Sequence, residues 1–221
     1  MISIIFPTRS KINELEITLN SIIDNASDEA NYEIILGVDN DDSETINFLN
    51  TFILNKNNIK VVFFERLFYK NLHLYFNKLS EMSNGNLLWC LADDCKILSK
   101  DWDIYLKKYE NEFNYVKVNL LESNWDSHFS LIPIIPKKWF DLTGRISDYS
   151  QTDGWLWGVA INLNISKYEE NVLVSNFVSA NSALHSTTYT NSEGISYHSA
   201  ALSPDLEKDY MVIKKYLTEK K

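Results

Sequence analysis

Two adjacent aspartates, Asp93 and Asp94, directly follow an apolar run at residues 87–92. A buried strand that ends in paired carboxylates suits a divalent cation, because hard cations prefer oxygen ligands that cannot swing away. Such a cation would point to phosphate chemistry. The alternative is that the pair only begins a solvent-exposed turn after a core strand, which is the commoner outcome for an isolated Asp-Asp pair.

The segments around this pair alternate between strand and helix patterns. Apolar runs predict strands at residues 2–6, 32–38, 59–64 and 87–92. Apolar residues at helical spacing predict helices at residues 13–25, 43–54 and 71–82. Asp42 or Ser43 is placed to cap the second helix, and Asn84 with Gly85 is expected to end the third in a left-handed turn. This order predicts an α/β, Rossmann-like fold with a mostly parallel central sheet flanked by helices.

Polar residues follow several of these predicted strands. Ligands of such sheets collect where the parallel strands end at their carboxyl side. We therefore expect one edge of the sheet to carry Thr8 and Arg9, the acidic turn at residues 39–42, Arg66, and the pair Asp93 and Asp94. Taken singly, Asp39 could belong to a turn or a helix cap, and each arginine could be an ordinary surface charge.

The second half of the chain has a different pattern. It predicts helices at residues 102–109 and 139–143, strands at 115–121 and 130–135, a helix ending near residue 162, and an amphipathic helix over 204–221. We find no linker rich in Gly, Pro or Ser and no internal repeat. The sequence therefore predicts one domain over residues 1–221, with the second half packed onto the first.

Composition limits the classes of function. The chain has 221 residues, 45% of them hydrophobic, and a formal net charge of -9, so it can bury a full core but lacks the positive charge of a nucleic-acid binder. No apolar run approaches the roughly 20 residues that span a bilayer, and the start of the chain does not resemble a signal peptide. Cys90 and Cys95 are read as reduced thiols. These features predict a cytoplasmic protein.

The tail offers one possible membrane contact. It contains Lys214, Lys215, Lys220 and Lys221. These could touch an anionic membrane surface weakly, but the interleaved acids Glu207, Asp209 and Glu219 favour a solvated helix face.

The order of several short motifs resembles that of a known family. They are residues 4–9, residues 33–39 with their acidic tail, residues 84–94, and residues 129–133 followed by Gly144 and Asp153. Together they resemble the GT-A-fold glycosyltransferases of family 2, which are inverting enzymes that use nucleotide sugars. The resemblance covers roughly residues 1–165. It implies that residues 1–100 bind the nucleotide sugar and that residues 101–221 form the acceptor half and C-terminal helix.

The resemblance implies a role for each candidate residue on the donor side. Asp94 would hold a divalent metal, Mn²⁺ or Mg²⁺, with Asp93 beside it. Asp39 would contact the nucleotide base, Thr8 and Arg9 would line the nucleotide pocket, and Arg66 would approach the phosphates. A downstream histidine often adds a metal or phosphate ligand in the family, and the candidates are His198 and His185. Many relatives carry an acid where this chain has Cys95.

On the acceptor side, the resemblance implies that Asp153 is the catalytic base. Trp155 and Trp157 would stack on the acceptor. From the sequence alone, Asp153 could instead cap the helix that follows it, and one of the two tryptophans is expected to pack in the core.

The resemblance thus implies a metal-dependent, inverting transfer of a sugar from a nucleoside diphosphate donor, with a UDP-sugar favoured, to a hydroxyl of a glycan or other acceptor. Two other functions stay open. A nucleotidyltransferase would be expected to carry a glycine-rich loop after its first strand, and residues 7–10 contain no glycine. A sugar-binding or scaffold protein without activity could share the fold, because fold does not fix function.

Overall fold

The computed structural model describes residues 1–121, 129–176 and 203–220. The strands are β1 (Ile2–Thr8), β2 (Tyr32–Asp39), β3 (Ile59–Phe64), β4 (Leu87–Cys90), β5 (Cys95–Ile97), β6 (Tyr115–Leu120), β7 (Ile134–Pro136) and β8 (Ser166–Asn176). The helices are α1 (Ile12–Asn25), α2 (Ser43–Phe52), α3 (Leu72–Met82), α4 (Trp102–Lys107), α5 (Lys137–Thr143), α6 (Thr152–Leu163) and α7 (Leu206–Glu219). Among these residues, no helix is long and apolar enough to cross a membrane.

The strands form one eight-stranded sheet in the order β3-β2-β1-β4-β7-β6-β8-β5. The first four neighbours are parallel: β1 pairs with β2 and β4, and β2 pairs with β3. The strand β7 is antiparallel to both β4 and β6, whereas β8 is parallel to β6. The predicted α/β fold with a mostly parallel sheet is therefore confirmed.

Helices cover both faces of this sheet because its central strands are apolar on both sides. In β1, Ile4 belongs to a core cluster that includes Leu15 of α1 and Trp102 of α4. The next residue, Ile5, points to the other face, where the cluster includes side chains from α3, α5, α6 and α7. The two faces thus carry separate cores, and α6 lies on the same face as α7.

Two strands were absent from the sequence prediction. The strand β5 has three residues, and β8 contains a polar stretch in which Lys167, Tyr168 and Glu170 are exposed. These strands pair with each other at one edge of the sheet. A strand as short as β5 gives no periodic pattern, and most side chains of β8 are not buried, so its sequence lacks the apolar run that predicts a strand. The strand predicted over residues 130–135 is also shorter and later, at Ile134–Pro136.

Gly85 plays a different part from the one predicted. It does not have a positive φ, and α3 ends at Met82 with Ser83 in an extended conformation. A Cβ atom at Gly85 would lie 2.6 Å from the Met1 carbonyl oxygen and 2.7 Å from the Ser3 nitrogen. Glycine is required here because the backbone entering β4 passes this close to the start of β1.

Candidate functional site

The carboxyl ends of β1, β2 and β4 meet at one edge of the sheet, as their parallel pairing requires. The structure brings together there most of the residues predicted for the donor side. The Thr8 hydroxyl donates a hydrogen bond to Asp93 Oδ2 at 3.0 Å, and Arg9 Nη1 lies 3.0 Å from Asp39 Oδ2. These contacts connect strands that are separated by 30 to 85 residues in the sequence.

The acid pair is held from several sides. Asp93 is buried, and its main-chain carbonyl accepts a hydrogen bond from the Thr18 hydroxyl of α1 at 2.9 Å. Burial raises the pKa of Asp93, while the charge of Lys11 opposes this rise. Asp94 is more open to solvent, with 19% of its side chain exposed. The pair therefore joins one fixed, buried carboxylate to one that faces the solvent.

Lys11 is the partner that the sequence prediction missed. Its ammonium nitrogen lies 3.1 Å from Asp93 Oδ1 and 3.1 Å from Asp94 Oδ2. Desolvation by itself would lower the pKa of Lys11, but the charges of Asp93 and Asp94 raise it well above its ordinary value. The signal was available, because Lys11 lies in the loop after the first strand, at the edge where ligands of parallel sheets bind.

The two carboxylates fit a divalent cation. Because Asp93 Oδ1 and Asp94 Oδ2 are equally distant from one ammonium, they converge on a single position for a cation. Within the described ranges, no group of three or more His, Cys, Asp and Glu side chains could hold a metal. Mg²⁺ commonly binds through one or two carboxylates together with substrate phosphates and water.

Cys95 and the two histidines add no ligand that the structure shows. Cys95 is fully buried in the core on the α1 face, and burial raises the pKa of its thiol. A neutral, buried thiol is a poor ligand for a hard cation. His185 and His198 lie outside the described residues.

Asp39 lies at the centre of a second network on this edge. One carboxylate oxygen contacts Arg9, and the other accepts a hydrogen bond from the Tyr75 hydroxyl of α3. Burial, reinforced by the hydrogen bond to Asp39, raises the pKa of Tyr75 to about 12, so Tyr75 stays a hydrogen-bond donor. The Tyr75 hydroxyl also accepts a hydrogen bond from the main-chain nitrogen of Leu67 at 3.0 Å. The sequence prediction placed Tyr75 only on the buried face of a helix.

Arg66 lies at the solvent side of this network. It is exposed, and its guanidinium carbon lies 4.6 Å from the centre of the Phe68 ring. The pKa of Asp41 is lowered chiefly by the hydrogen bond from Arg9, and the charge of Arg66 lowers it further. Arg66 therefore adds positive charge at this edge. Within the described residues, its guanidinium forms no ion pair with a carboxylate, whereas that of Arg9 does.

Asp153 is the second residue of α6 and not its N-cap. The N-cap position is Gln151, so the capping role considered from the sequence is wrong. Asp153 Oδ1 accepts a hydrogen bond from the Gly154 nitrogen at 2.9 Å. Burial raises the pKa of Asp153 to about 6, against the effect of this hydrogen bond. Burial and, to a lesser extent, the charge of Asp153 raise the pKa values of Cys90 and Tyr115, and α6 packs in the same core cluster as these two residues.

The two tryptophans of α6 have different surroundings. Trp155 is fully buried, and its indole nitrogen donates to Asp209 of α7 at 2.9 Å. It therefore offers no surface on which a ligand could stack. Trp157 is only partly buried and follows Asp153 by one helical turn, so the two share a face of α6. Its ring meets that of Phe129 edge-on, with the ring centres 5.8 Å apart.

Two grooves lie near the amino ends of the parallel strands, opposite the carboxyl edge. One, of about 360 Å³, includes Asn86 and Lys137 in its lining, and the other, of about 320 Å³, includes Tyr32 and Asn58. Neither is lined by a residue predicted for the site. We place the candidate site at the carboxyl edge, because ionisable groups with perturbed pKa values gather there.

The sequence of the chain matches a known family over most of its length. A family model described as glycosyl transferase family 2 matches residues 3–163. This chain belongs to glycosyl transferase family 2. None of the curated proteins matches this family 2 chain by sequence.

Solved structures share the fold of this family 2 protein. The crystal structure of S. aureus TarS is 13% identical over 90% of this chain and 41% of that chain, with a TM-score of 0.62. The mannosyltransferase PcManGT from Pyrobaculum calidifontis, in complex with GDP-Man and Mn²⁺, is 11% identical over 81% of this chain and 57% of that chain, with a TM-score of 0.65.

A third solved structure, GalNAc-T7 with UDP, GalNAc and Mn²⁺, is 11% identical over 80% of this chain and 43% of that chain, with a TM-score of 0.62. The family 2 chain therefore spans less than two thirds of the length of all three proteins. At these identities the likeness shows a shared fold.

Proposed function

We propose that this family 2 protein transfers a sugar from a nucleoside diphosphate donor to a hydroxyl group of an acceptor, with inversion at the sugar carbon. The observation that carries the proposal is the layout of carboxylates at the carboxyl edge of a family 2 sheet. The buried Asp93 and the more open Asp94 follow β4, and Asp153, whose pKa is raised, lies at the start of α6, which packs on one face of the same sheet.

On the donor side, we assign the nucleotide to Asp39, Thr8 and Arg9, and its phosphates to Arg66. The likeness to PcManGT, which was solved with GDP-Man and Mn²⁺, and to GalNAc-T7, which was solved with UDP, GalNAc and Mn²⁺, supports a nucleotide-sugar donor. A UDP-sugar stays the favoured donor from the sequence. Residues 1–100 would form this donor half, and residues 101–221 the acceptor half.

Asp94 and Asp93 would hold a divalent cation, Mn²⁺ or Mg²⁺. Such an ion neutralises the negative charge that develops on a leaving diphosphate. The protein's own contribution is to orient the pair: Thr8 and Thr18 hold Asp93, and Asp94 stays accessible to solvent. The predicted histidine ligands, His185 and His198, stay predictions.

Asp153 would accept the proton of the attacking hydroxyl. Its pKa of about 6 leaves it ionised at neutral pH, yet more basic than an ordinary Asp with a pKa of about 3.9. A base performs best when its pKa lies near the working pH. A single displacement, with the base on the acceptor side and the diphosphate leaving on the other, gives inversion. Trp157, on the same face of α6, is the aromatic side chain placed to contact an acceptor.

The decisive experiment compares single variants in a sugar transfer and hydrolysis assay. Purified protein is supplied with UDP- and GDP-sugars and Mn²⁺. We expect Asp153→Asn to lower turnover by about a hundredfold or more, because a positioned base typically contributes 10² to 10⁴, and we expect Asp94→Asn to abolish metal-dependent turnover.

Asp141→Asn is the matched control, because Asp141 is an exposed carboxylate of α5 remote from the acid pair. Full metal-dependent turnover in both the Asp153→Asn and the Asp94→Asn variants would show that this mechanism is wrong. Binding of a nucleotide sugar without any turnover by the wild-type protein would favour the scaffold alternative, and transfer of a nucleotidyl group would favour the nucleotidyltransferase.

The cytoplasmic location stays a prediction from the sequence.

A further inference from the structure

The Lys11 ammonium lies between the two carboxylates that are assigned to the metal. It is 3.1 Å from Asp93 Oδ1 and 3.1 Å from Asp94 Oδ2. In the described part of the chain, no other Lys or Arg side chain comes within 4.0 Å of either carboxylate. The protein therefore supplies its own cation to the acid pair.

The surroundings hold the carboxylates and the Lys11 backbone in place. Asp93 Oδ2, the oxygen that does not face Lys11, accepts a hydrogen bond from Thr8. The Lys11 carbonyl accepts a hydrogen bond from the Leu15 nitrogen at 2.8 Å, which fixes its backbone at the start of α1. The Lys11 side chain is 32% exposed. Its flexible stem can thus move the ammonium away from the pair without any change in the fold.

We propose that Lys11 is a built-in counter-cation that competes with the divalent metal for Asp93 and Asp94. A metal ion and the ammonium require the same two oxygens, so both cannot occupy that position. The inference rests on the proposed function, because it takes the acid pair to be a metal site. It adds a role for Lys11 that neither the sequence motifs nor the family match supplies.

A diphosphate changes the balance of this competition. When the metal arrives with a nucleoside diphosphate, the displaced ammonium gains a new partner in the phosphate oxygens, which lysine binds well as a point charge. Metal and nucleotide therefore strengthen each other's binding, and part of this coupling passes through Lys11. Without nucleotide, Lys11 offsets one of the two negative charges of the acid pair and keeps its affinity for metal low.

The test measures Mn²⁺ binding directly, from the electron paramagnetic resonance signal of free Mn²⁺, in the absence of nucleotide. We expect Lys11→Met to bind Mn²⁺ about tenfold more tightly than the wild-type protein, because removing the ammonium leaves both carboxylates free for the metal. We expect Lys11→Arg, which keeps the positive charge, to stay close to the wild type. Lys78→Met is the matched control, since it removes an equal charge from an exposed ion pair with Glu81.

A second measurement repeats the titration with UDP and with GDP. One of the two nucleotides should bind the wild-type protein, and we expect that nucleotide to increase its affinity for Mn²⁺. In Lys11→Met, we expect this increase in affinity to be roughly tenfold smaller. Thermal melts check that the variant folds: in EDTA, Lys11→Met should melt below the wild type, and Mn²⁺ should raise its melting temperature by the larger amount.

The possible failures are distinguishable. Equal or weaker Mn²⁺ binding by Lys11→Met overturns the role of Lys11 and leaves the proposed transferase function intact. Tighter binding by both Lys11→Arg and Lys78→Met also overturns it, since the ammonium between the carboxylates would not be the cause. If no variant binds Mn²⁺ even with nucleotide, the metal assignment fails as well, and the Asp153→Asn assay then decides whether transfer occurs without metal.

Discussion

Single side chains at the carboxyl edge take on properties that depend on their neighbours. Asp153 has a raised pKa because the surrounding protein removes it from water, whereas the exposed Asp41 has a lowered pKa through its hydrogen bond with Arg9. The same chemical group thus holds a proton more readily in one place and loses it more readily in another.

The raised pKa of Asp153 predicts a pH profile. Only the ionised carboxylate can accept a proton, so kcat/KM for sugar transfer should rise with pH and level off above about 6, the pKa of Asp153. The measurement is kcat/KM from pH 4 to pH 8 at saturating metal, because this parameter reports groups of the free enzyme. The residual activity of Asp153→Asn should lack this rise. A midpoint near pH 4, the ordinary value for Asp, would contradict the assignment.

Among the helices, α6 and α7 depend on each other. Asp209 of α7 is buried and receives the indole N–H of Trp155, and Arg145 Nη2 lies 3.0 Å from its other oxygen. This network fixes the helix that carries Asp153. Trp155 therefore acts in packing, and its neighbour two residues on, Trp157, faces the side of Asp153.

Removing this network should loosen the two helices together. We expect Asp209→Ala to lower the free energy of unfolding by about 2 kcal/mol, because it leaves the buried Trp155 N–H without its acceptor and leaves Arg145 with Asp148 as its remaining carboxylate partner within the described residues. The measurement is chemical denaturation followed by tryptophan fluorescence. Asp205→Ala is the control, since Asp205 is exposed and pairs only with the exposed Lys208 within the described residues. Equal losses for the two variants would argue against a role for the network.

In the molecule as a whole, the two halves share one sheet. The strand β4 of the first half pairs with β7 of the second, and β5 has β8 as its strand neighbour. Trp102 of α4 packs against Trp89 of β4, with ring centres 5.5 Å apart, and donates to the Ile22 carbonyl of α1. Residues 1–100 therefore rely on residues 101–221 for part of their core.

This sharing predicts how a fragment behaves. Residues 1–100 expressed alone should show no cooperative thermal transition by circular dichroism, because the fragment exposes the apolar surface that Trp102, β7 and α6 cover in the full chain. The full chain, measured in parallel, should unfold in one transition. A sharp transition in the fragment would show that residues 1–100 form an independent domain.

How much the sequence predicts depends on the range of the interaction. The four parallel strands and the helices between them were predicted because each buries a continuous apolar face, which leaves a periodic pattern in the sequence. The strand β5 left no such pattern because it has only three residues, and β8 left none because most of its side chains are not buried. Gly85 was assigned to a left-handed turn, whereas its actual constraint is the approach of residues about 80 positions away.

The sequence by itself determined the α/β fold, the edge where Thr8, Arg9, Asp39, Asp93 and Asp94 meet, and the family. The order of strands and helices along the chain and the family motifs are both properties of short segments. They can therefore be recognised without knowing which segments contact each other. Only the tertiary structure decided that Lys11 lies between the two acids and that Tyr75 donates a hydrogen bond to Asp39. It also decided that Trp155 is fully buried, whereas Trp157 is only partly buried. These contacts join side chains from segments that are far apart in the chain. They therefore depend on how the segments pack in three dimensions, which no local pattern in the sequence predicts.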